Sequence, residues 1–193
     1  AVIKILKDKG WGENIVDDNE LLSSETDKIW EFIDEIIMDE SELYALKVER
    51  DFHNIKVELK ADFAKKSAND AYLKHGTVPI KNIQDMVLNR DLNFIPEYMQ
   101  KYAYKAYKYM MKTGDGQLCD IVLDKAALEV MNDLAEKSGN ELLKEYAYIK
   151  AATSNIKIAI RGAKTKKNKL FFDLALVECK NLDKELLSIA ASQ

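Results

Sequence analysis

The chain has 193 residues, enough for one large domain or two small ones with a substantial core. Its formal net charge is −4, so the chain as a whole carries no electrostatic footprint for nucleic acid. Charged residues make up 32% of it while only seven Gly and two Pro interrupt it, a balance that points to long helices with solvated faces.

No apolar run approaches the roughly 18 residues needed to cross a bilayer, and no signal-peptide pattern is present, so no direct insertion into a membrane is expected. Cys119 and Cys179 stand far apart without Cys-x-x-Cys spacing, which predicts reduced, buried thiols of a cytoplasmic protein rather than a disulfide or a metal site. The first residue is Ala1, inside a helical pattern, and Gln193 falls just after another helix has begun. A fragment of a longer polypeptide is the expectation.

In chain order, residues 1–10 read as a short helix closed by Gly10, followed by a turn at Trp11-Gly12 and an acidic connection, Asp17-Asp18-Asn19-Glu20. Ser23 or Ser24 then offers an N-cap, with Glu25 and Asp27 where carboxylates suit the helix dipole. Trp30, Ile33 and Ile37, with Phe32 and Ile36 beside them, give that helix its expected buried face, ending near Asp39. Ser41 is placed to cap a long helix reaching residue 66. A polar linker follows, and Gly76-Thr77-Val78-Pro79 restarts a helix, since Pro is accepted in the first turn and Thr caps it. Its stripe is Ile80, Ile83, Met86 and Val87. After a break at residues 89–93, a helix from Ile95-Pro96 carries Ile95, Met99, Tyr102, Ala106 and Tyr109 on one face. The next, residues 118–137, turns Ile121, Leu128, Met131 and Ala135 inward and is closed by Gly139. Asn140 opens a second long helix, residues 164–168 form a basic connection, and short helices at 171–177 and 182–190 end the chain. No stretch alternates as a strand. The chain reads as all-α, with eight or nine helices.

The two long helices are copies. Residues 41–66 and 142–163 share Asn-Ile-Lys, at Asn54-Ile55-Lys56 and Asn155-Ile156-Lys157, with a separation of 155 − 54 = 101. Val48, Phe52, Ile55, Leu59 and Phe63 form the apolar stripe of the first copy; Leu142, Tyr146, Ile149, Thr153, Ile156 and Ile160 form that of the second. Asn lies roughly 0.7 kcal/mol below Ala as a helix former, so its presence twice at one position predicts a side-chain hydrogen bond to a neighbouring helix. A period near 100 is too long for a solenoid repeat. Domain duplication follows, with residues 1–72 the C-terminal part of a first helical domain, 73–178 a second, and 179–193 the start of a third repeat. Asn54, Lys56, Asn155 and Lys157 are the structural motif.

Catalytic, cofactor-binding and metal-ligating constellations are not found. His53 and His75 belong to no metal-binding pattern, and His53 is placed to pair with Glu49 one turn earlier. Asp120 and Asp124 share a helix face and read as solvated surface. No phosphate-cradling glycine run or nucleophile elbow occurs. Tyr98, Tyr104 and Tyr107, set among lysines, are more aromatic surface than a monomer needs and form a candidate partner surface. The basic stretch Arg161, Lys164, Lys166, Lys167 and Lys169 offers an alternative, a helical nucleic-acid- or protein-binding adaptor module whose binding would be steeply salt-dependent.

Asp51-Phe52-His53-Asn54-Ile55-Lys56, Gly76-Thr77-Val78-Pro79, the run from Leu118 to Lys125, and Asn155-Ile156-Lys157 with Arg161-Gly162-Ala163 together resemble the C subunit of the bacterial and archaeal V-type (A-type) ATP synthases, a relative of the d subunit of the vacuolar proton pump. The resemblance implies a funnel-shaped protein of three similar helical domains around a pseudo-threefold axis, here lacking most of the third. It implies a non-catalytic rotor subunit that couples the central stalk to the membrane proteolipid ring and transmits torque for proton or sodium transport. Its partners would be those stalk subunits and that ring, with no nucleic acid and no cofactor, and its place would be cytoplasmic, peripheral at the inner face of the cell membrane. The family commonly has glycines before the last helix of the module, where this chain has Glu178-Cys179-Lys180-Asn181.

Overall fold

The structure, a computed structural model, describes residues 2–12, 15, 17–37, 43–68, 71–180 and 182–193, the side chains of residues 2 and 18 excepted. Among the described residues every regular element is a helix, and strand-like pairing is confined to one antiparallel bridge between Cys179 and Leu182. The chain divides into two compact units, residues 1–40 and 41–193. The repeat boundary expected between residues 72 and 73 falls inside the second, because a copy in sequence and a packed body in space are different divisions.

The first unit holds α1 (Val2–Asp8) and α2 (Asp18–Ile36). α2 starts nearly two turns before the expected serine caps. Asp17, as strong a cap as Ser, accepts hydrogen bonds from the backbone N–H groups of Asn19 and Glu20, so the acidic connection is the first turn of the helix. The expected apolar face is only partly covered: Trp30, Ile33 and Ile37 are half-buried, Phe32 and Ile36 are exposed, and Leu21 is the fully buried side chain. The expected end near Asp39 and the Ser41 cap lie outside the described residues.

The second unit holds α3 (Tyr44–Ala64), α4 (Ile80–Asn89), a single 3-10 turn (Leu92–Phe94), α5 (Glu97–Thr113), α6 (Gly116–Ser138), α7 (Glu141–Lys164), α8 (Lys169–Ala175) and α9 (Lys184–Ala191). α6 is its central post, packed against α3, α5, α7 and α8. It buries Cys119, Leu123, Ala126, Ala127, Leu128, Val130, Met131 and Ala135, which at 100° per residue cover a little over half of its circumference, as a helix packed on several sides requires. Burial pushes the Cys119 thiol up to about 11, which leaves it inert.

α3 is buried along the stripe expected of it, with Val48, Phe52, Ile55 and Leu59 inward, although Phe63 is exposed. In α5 the covered stripe is Met99, Ala103, Ala106 and Met110. Tyr102 and Tyr109 flank it rather than join it, since the small alanines let α6 approach closely and leave no room for rings.

α7 corrects the sequence expectation outright. Leu142 is 75% exposed, Ile149 59% and Ile160 53%, and Tyr146, Thr153 and Ile156 are exposed too. Its buried face is Ala147, Ala151, Asn155, Ala159 and Gly162. The reason is close approach. A Cβ added at Gly162 would stand 2.4 Å from Cε1 of the fully buried Phe172 on α8, so the ring lies directly on the α7 backbone.

A second close approach fixes the start of α4. The fully buried Asp51 accepts hydrogen bonds from the Thr77 hydroxyl at 2.7 Å and the Val78 N–H at 3.0 Å, and a Cβ at Gly76 would meet its carboxylate at 2.3 Å. Thr77 therefore does not cap α4; it serves Asp51. Burial raises the Asp51 pKa, against the Thr77 and Val78 hydrogen bonds that lower it. A carboxyl whose folded pKa is raised favours folding when protonated, and this contribution is lost as pH rises from the ordinary value of 3.8 through the folded value. Wild-type stability relative to Asp51→Asn is therefore expected to fall across that window, by at most about 1.4 kcal/mol per pH unit. Urea unfolding of both proteins from pH 3 to 7 checks it; a constant difference would mean that the carboxyl titrates normally.

Candidate functional site

Asn54 and Asn155, 101 residues apart, do the same work. Asn54 Nδ2 donates to the Leu73 carbonyl at 2.9 Å while its Oδ1 accepts from the Leu73 N–H at 2.8 Å. Asn155 does this to Val177, at 2.8 Å and 3.0 Å. The partner is thus backbone outside any helix and not a neighbouring helix, the one point on which the expectation of a hydrogen bond is corrected. An amide matches a peptide unit in both its donor and its acceptor, so a single Asn satisfies both backbone groups of one residue. The clamped residue lies seven before the first helical residue in each copy, 80 − 73 = 7 for α4 and 184 − 177 = 7 for α9. In the second copy Asn155 also donates to Cys179 Sγ at 3.1 Å, and Cys179 bridges to Leu182, which sets the turn where the family's glycines are missing. Asn181 of that turn lies outside the described residues.

Between α3 and α7, over α6 and beside α8, the second unit has a cleft of about 930 Å³. Lys56 and Lys60 reach down from α3, and Lys157 and Arg161, their counterparts at the spacing of 101, line the cleft from α7. Lys56 pairs with Asp124 at 2.6 Å and Lys60 with Asp120 at 2.9 Å. The two aspartates that read as solvated surface are therefore the anchors of α3 on α6. Lys157 and Arg161 pair with no carboxylate among the described residues. Lys125 and Lys167 also line the cleft, and its carboxylates are Glu49, Asp120 and Asp124, so cations outnumber anions there in a chain of net negative charge. Burial, and then the Lys184 charge, lower the Lys125 pKa.

Glu49 pairs with Lys150 Nζ at 2.8 Å, not with His53, whose Nε2 lies 3.0 Å from the Ala71 carbonyl. Glu49 and Lys150 have the same separation as the two Asn, 150 − 49 = 101, so positions at that spacing on α3 and α7 touch each other. Sequence reasoning missed this pair, although its signal was present: opposite charges at one register position.

The tyrosines do not form one surface. At 100° per residue Tyr98 and Tyr107 lie roughly 180° apart around α5. Both are half-buried against the core, and Arg90 lies over the Tyr107 ring; Tyr104 is exposed with Lys108 over its face. The basic stretch is partly engaged, with Lys167 donating to Gln117 and Lys169 paired with Asp173. No helix among the described residues is long and apolar enough to cross a membrane, and no group of His, Cys, Asp and Glu among them has the arrangement of a metal site.

The model of the ATP synthase (C/AC39) subunit family matches residues 2–193. The chain is 22% identical over 141 residues to the C subunit of the V-type sodium ATPase of Enterococcus hirae, a match covering 73% of this chain and 43% of that protein. The match therefore spans less than half the length of this relative. No solved structure matches it. An all-α chain with two long helices clamped by Asn54 and Asn155, matched by the family model along almost its whole length, belongs to the ATP synthase (C/AC39) subunit family.

Proposed function

We propose that this chain is part of a non-catalytic coupling subunit of a rotary ATPase, one that joins the central stalk to the proteolipid ring and passes torque between them for proton or sodium transport. The family match along residues 2–193 carries the reading. Coupling asks for a stiff body, and the second unit supports that requirement: α3 of one copy and α4, α5 and α6 of the next share one close-packed core, and close-packed interiors transmit strain. Lys56–Asp124, Lys60–Asp120 and Glu49–Lys150 tie the two copies at three further points. A nucleic-acid-binding adaptor would use Arg161 and the lysines after it. The net charge of −4 and the internal partners of Lys167 and Lys169 favour coupling instead. On this reading the subunit sits at the inner face of the membrane without entering it.

The test is assembly of the ATPase with and without the polypeptide that contains this chain. ATP hydrolysis by the detached head is expected to continue without it, while ATP-driven ion uptake into vesicles is lost. Undiminished uptake in its absence would overturn the reading.

A further inference from the structure

We propose that Lys125 is a site of covalent acylation, and that its acyl donor is an acyl phosphate held beside it by lysines of α5. The proposal concerns the second unit alone and does not depend on the coupling role.

Lys125 lies near the middle of α6, half-buried, where two openings meet. It lines the cleft between α3 and α7, and it also lines a smaller one of about 440 Å³ between α5, α6 and α8. Tyr102, Tyr109, Ile121 and Leu174 supply apolar walls to the smaller cleft. A lysine stem packs along such walls while its amine stays within reach of solvent and of small reagents.

What sets Lys125 apart is the lack of a counter-ion. The carboxylates that line either cleft or act on its charge are all engaged elsewhere. Glu49 pairs with Lys150 at 2.8 Å, Asp120 with Lys60 at 2.9 Å and Asp124 with Lys56 at 2.6 Å. Glu129 accepts from the Tyr102 hydroxyl at 3.2 Å. Asp173 pairs with Lys169 at 3.0 Å and accepts from the Ser188 hydroxyl at 2.7 Å, and Glu178 pairs with Lys184 at 2.9 Å. Lys125 itself pairs with no carboxylate among the described residues. Burial, Lys184 and Lys105 disfavour its charged form, Glu129 and Glu178 favour it, and the balance lowers its pKa.

The neutral amine is the nucleophile, and an amine that is desolvated and set among cations is neutral more often at a given pH. The same cations select the reagent. Lys101 and Lys105, one turn apart on α5, stand exposed at the rim of the smaller cleft. Lys101 lies over the Tyr102 ring, 4.6 Å from its centroid, and Lys105 pairs with no carboxylate among the described residues. Two ammonium groups beside the nucleophile suit a donor whose leaving group is phosphate. In the reaction the Nζ lone pair attacks the acyl carbon and forms the N–C bond. The C–O bond to phosphate breaks, phosphate departs with that electron pair, and the surplus proton of the nitrogen passes to water. The product is a neutral amide, which removes the one cation of α6 that the surrounding carboxylates leave unmatched.

The experiment treats the whole 193-residue chain with acetyl phosphate near pH 8 and quantifies acetylation at each lysine by mass spectrometry. Lys125 is expected to react about fivefold faster than the median lysine, a ratio set by its larger neutral fraction and by the neighbouring cations. The preference is expected to vanish in urea, where every lysine is solvated alike. Lys101→Gln with Lys105→Gln, both at exposed positions, is expected to slow acetylation of Lys125 by acetyl phosphate about threefold, with folding verified by circular dichroism. Toward N-acetoxysuccinimide, an uncharged donor, the same variant is expected to lose less. A Lys125 rate no higher than the median, a preference that survives urea, or equal slowing toward the charged and uncharged donors would overturn the proposal.

Discussion

Asn155→Ala is expected to lower stability by about 3 kcal/mol, and Asn54→Ala by only about 1 kcal/mol. The two residues make the same pair of hydrogen bonds, so their contacts alone would predict equal losses. The difference lies in what is left behind. Val177 is fully buried, and removal of the Asn155 amide strands its N–H and C=O where water does not reach, at about 1–3 kcal/mol for each group. Leu73 is 43% exposed, and water takes over its two groups. Both substitutions regain roughly 0.7 kcal/mol of helix propensity, which sets the smaller loss near 1 kcal/mol and trims the larger. Urea unfolding followed by hydrogen exchange within residues 41–193 measures both. Equal losses would mean that solvent reaches Val177 after truncation, or that Leu73 is closed to it.

The all-α class was legible because apolar residues recur at three- and four-residue steps and breakers are rare. The cap at Asn140, which accepts from the N–H groups of Leu142 and Leu143, was legible; the cap at Asp115, which accepts from those of Gln117 and Leu118, was not, because that stretch reads as the end of the preceding helix. Asp17 was passed over because its acidic neighbourhood resembles a connection as much as a first turn. The presence of a hydrogen bond at each Asn of the repeated Asn-Ile-Lys was legible from the identity at fixed spacing.

Which face of α7 is covered was not legible. Periodicity finds faces, and α7 has two: a bulky one through Ile149, Ile156 and Ile160, and a small one through Ala147, Ala151, Ala159 and Gly162. Bulk suggests burial, but a small face lets α6 and α8 come closer and is the one that they chose. The identity of the Asn partners was hidden for another reason. Irregular segments such as those around Leu73 and Val177 have no side-chain period, so nothing in them marks the residue whose backbone is to be clamped. The cleft was hidden because its pairs join residues 60 and 68 positions apart, while sequence reasoning about charge reaches one turn. Glu49 and His53 show that limit: one turn apart on α3, they each bond elsewhere.

Ile55→Ala is expected to cost about 3–4 kcal/mol, and Ile156→Ala no more than about 0.5 kcal/mol. The residues are the same type at the same position of the two copies, so side-chain chemistry and helix propensity cancel in the comparison. Ile55 is fully buried in the stripe that α3 shares with Val48, Phe52 and Leu59, and truncation leaves a cavity that its packed neighbours fill only in part. Ile156 is 46% exposed, and the surface it loses is offset by the better helix propensity of Ala. The comparison, read by urea unfolding of both variants, isolates burial as the source of the difference. A loss at Ile156 as large as that at Ile55 would mean that the α7 stripe is covered within this chain.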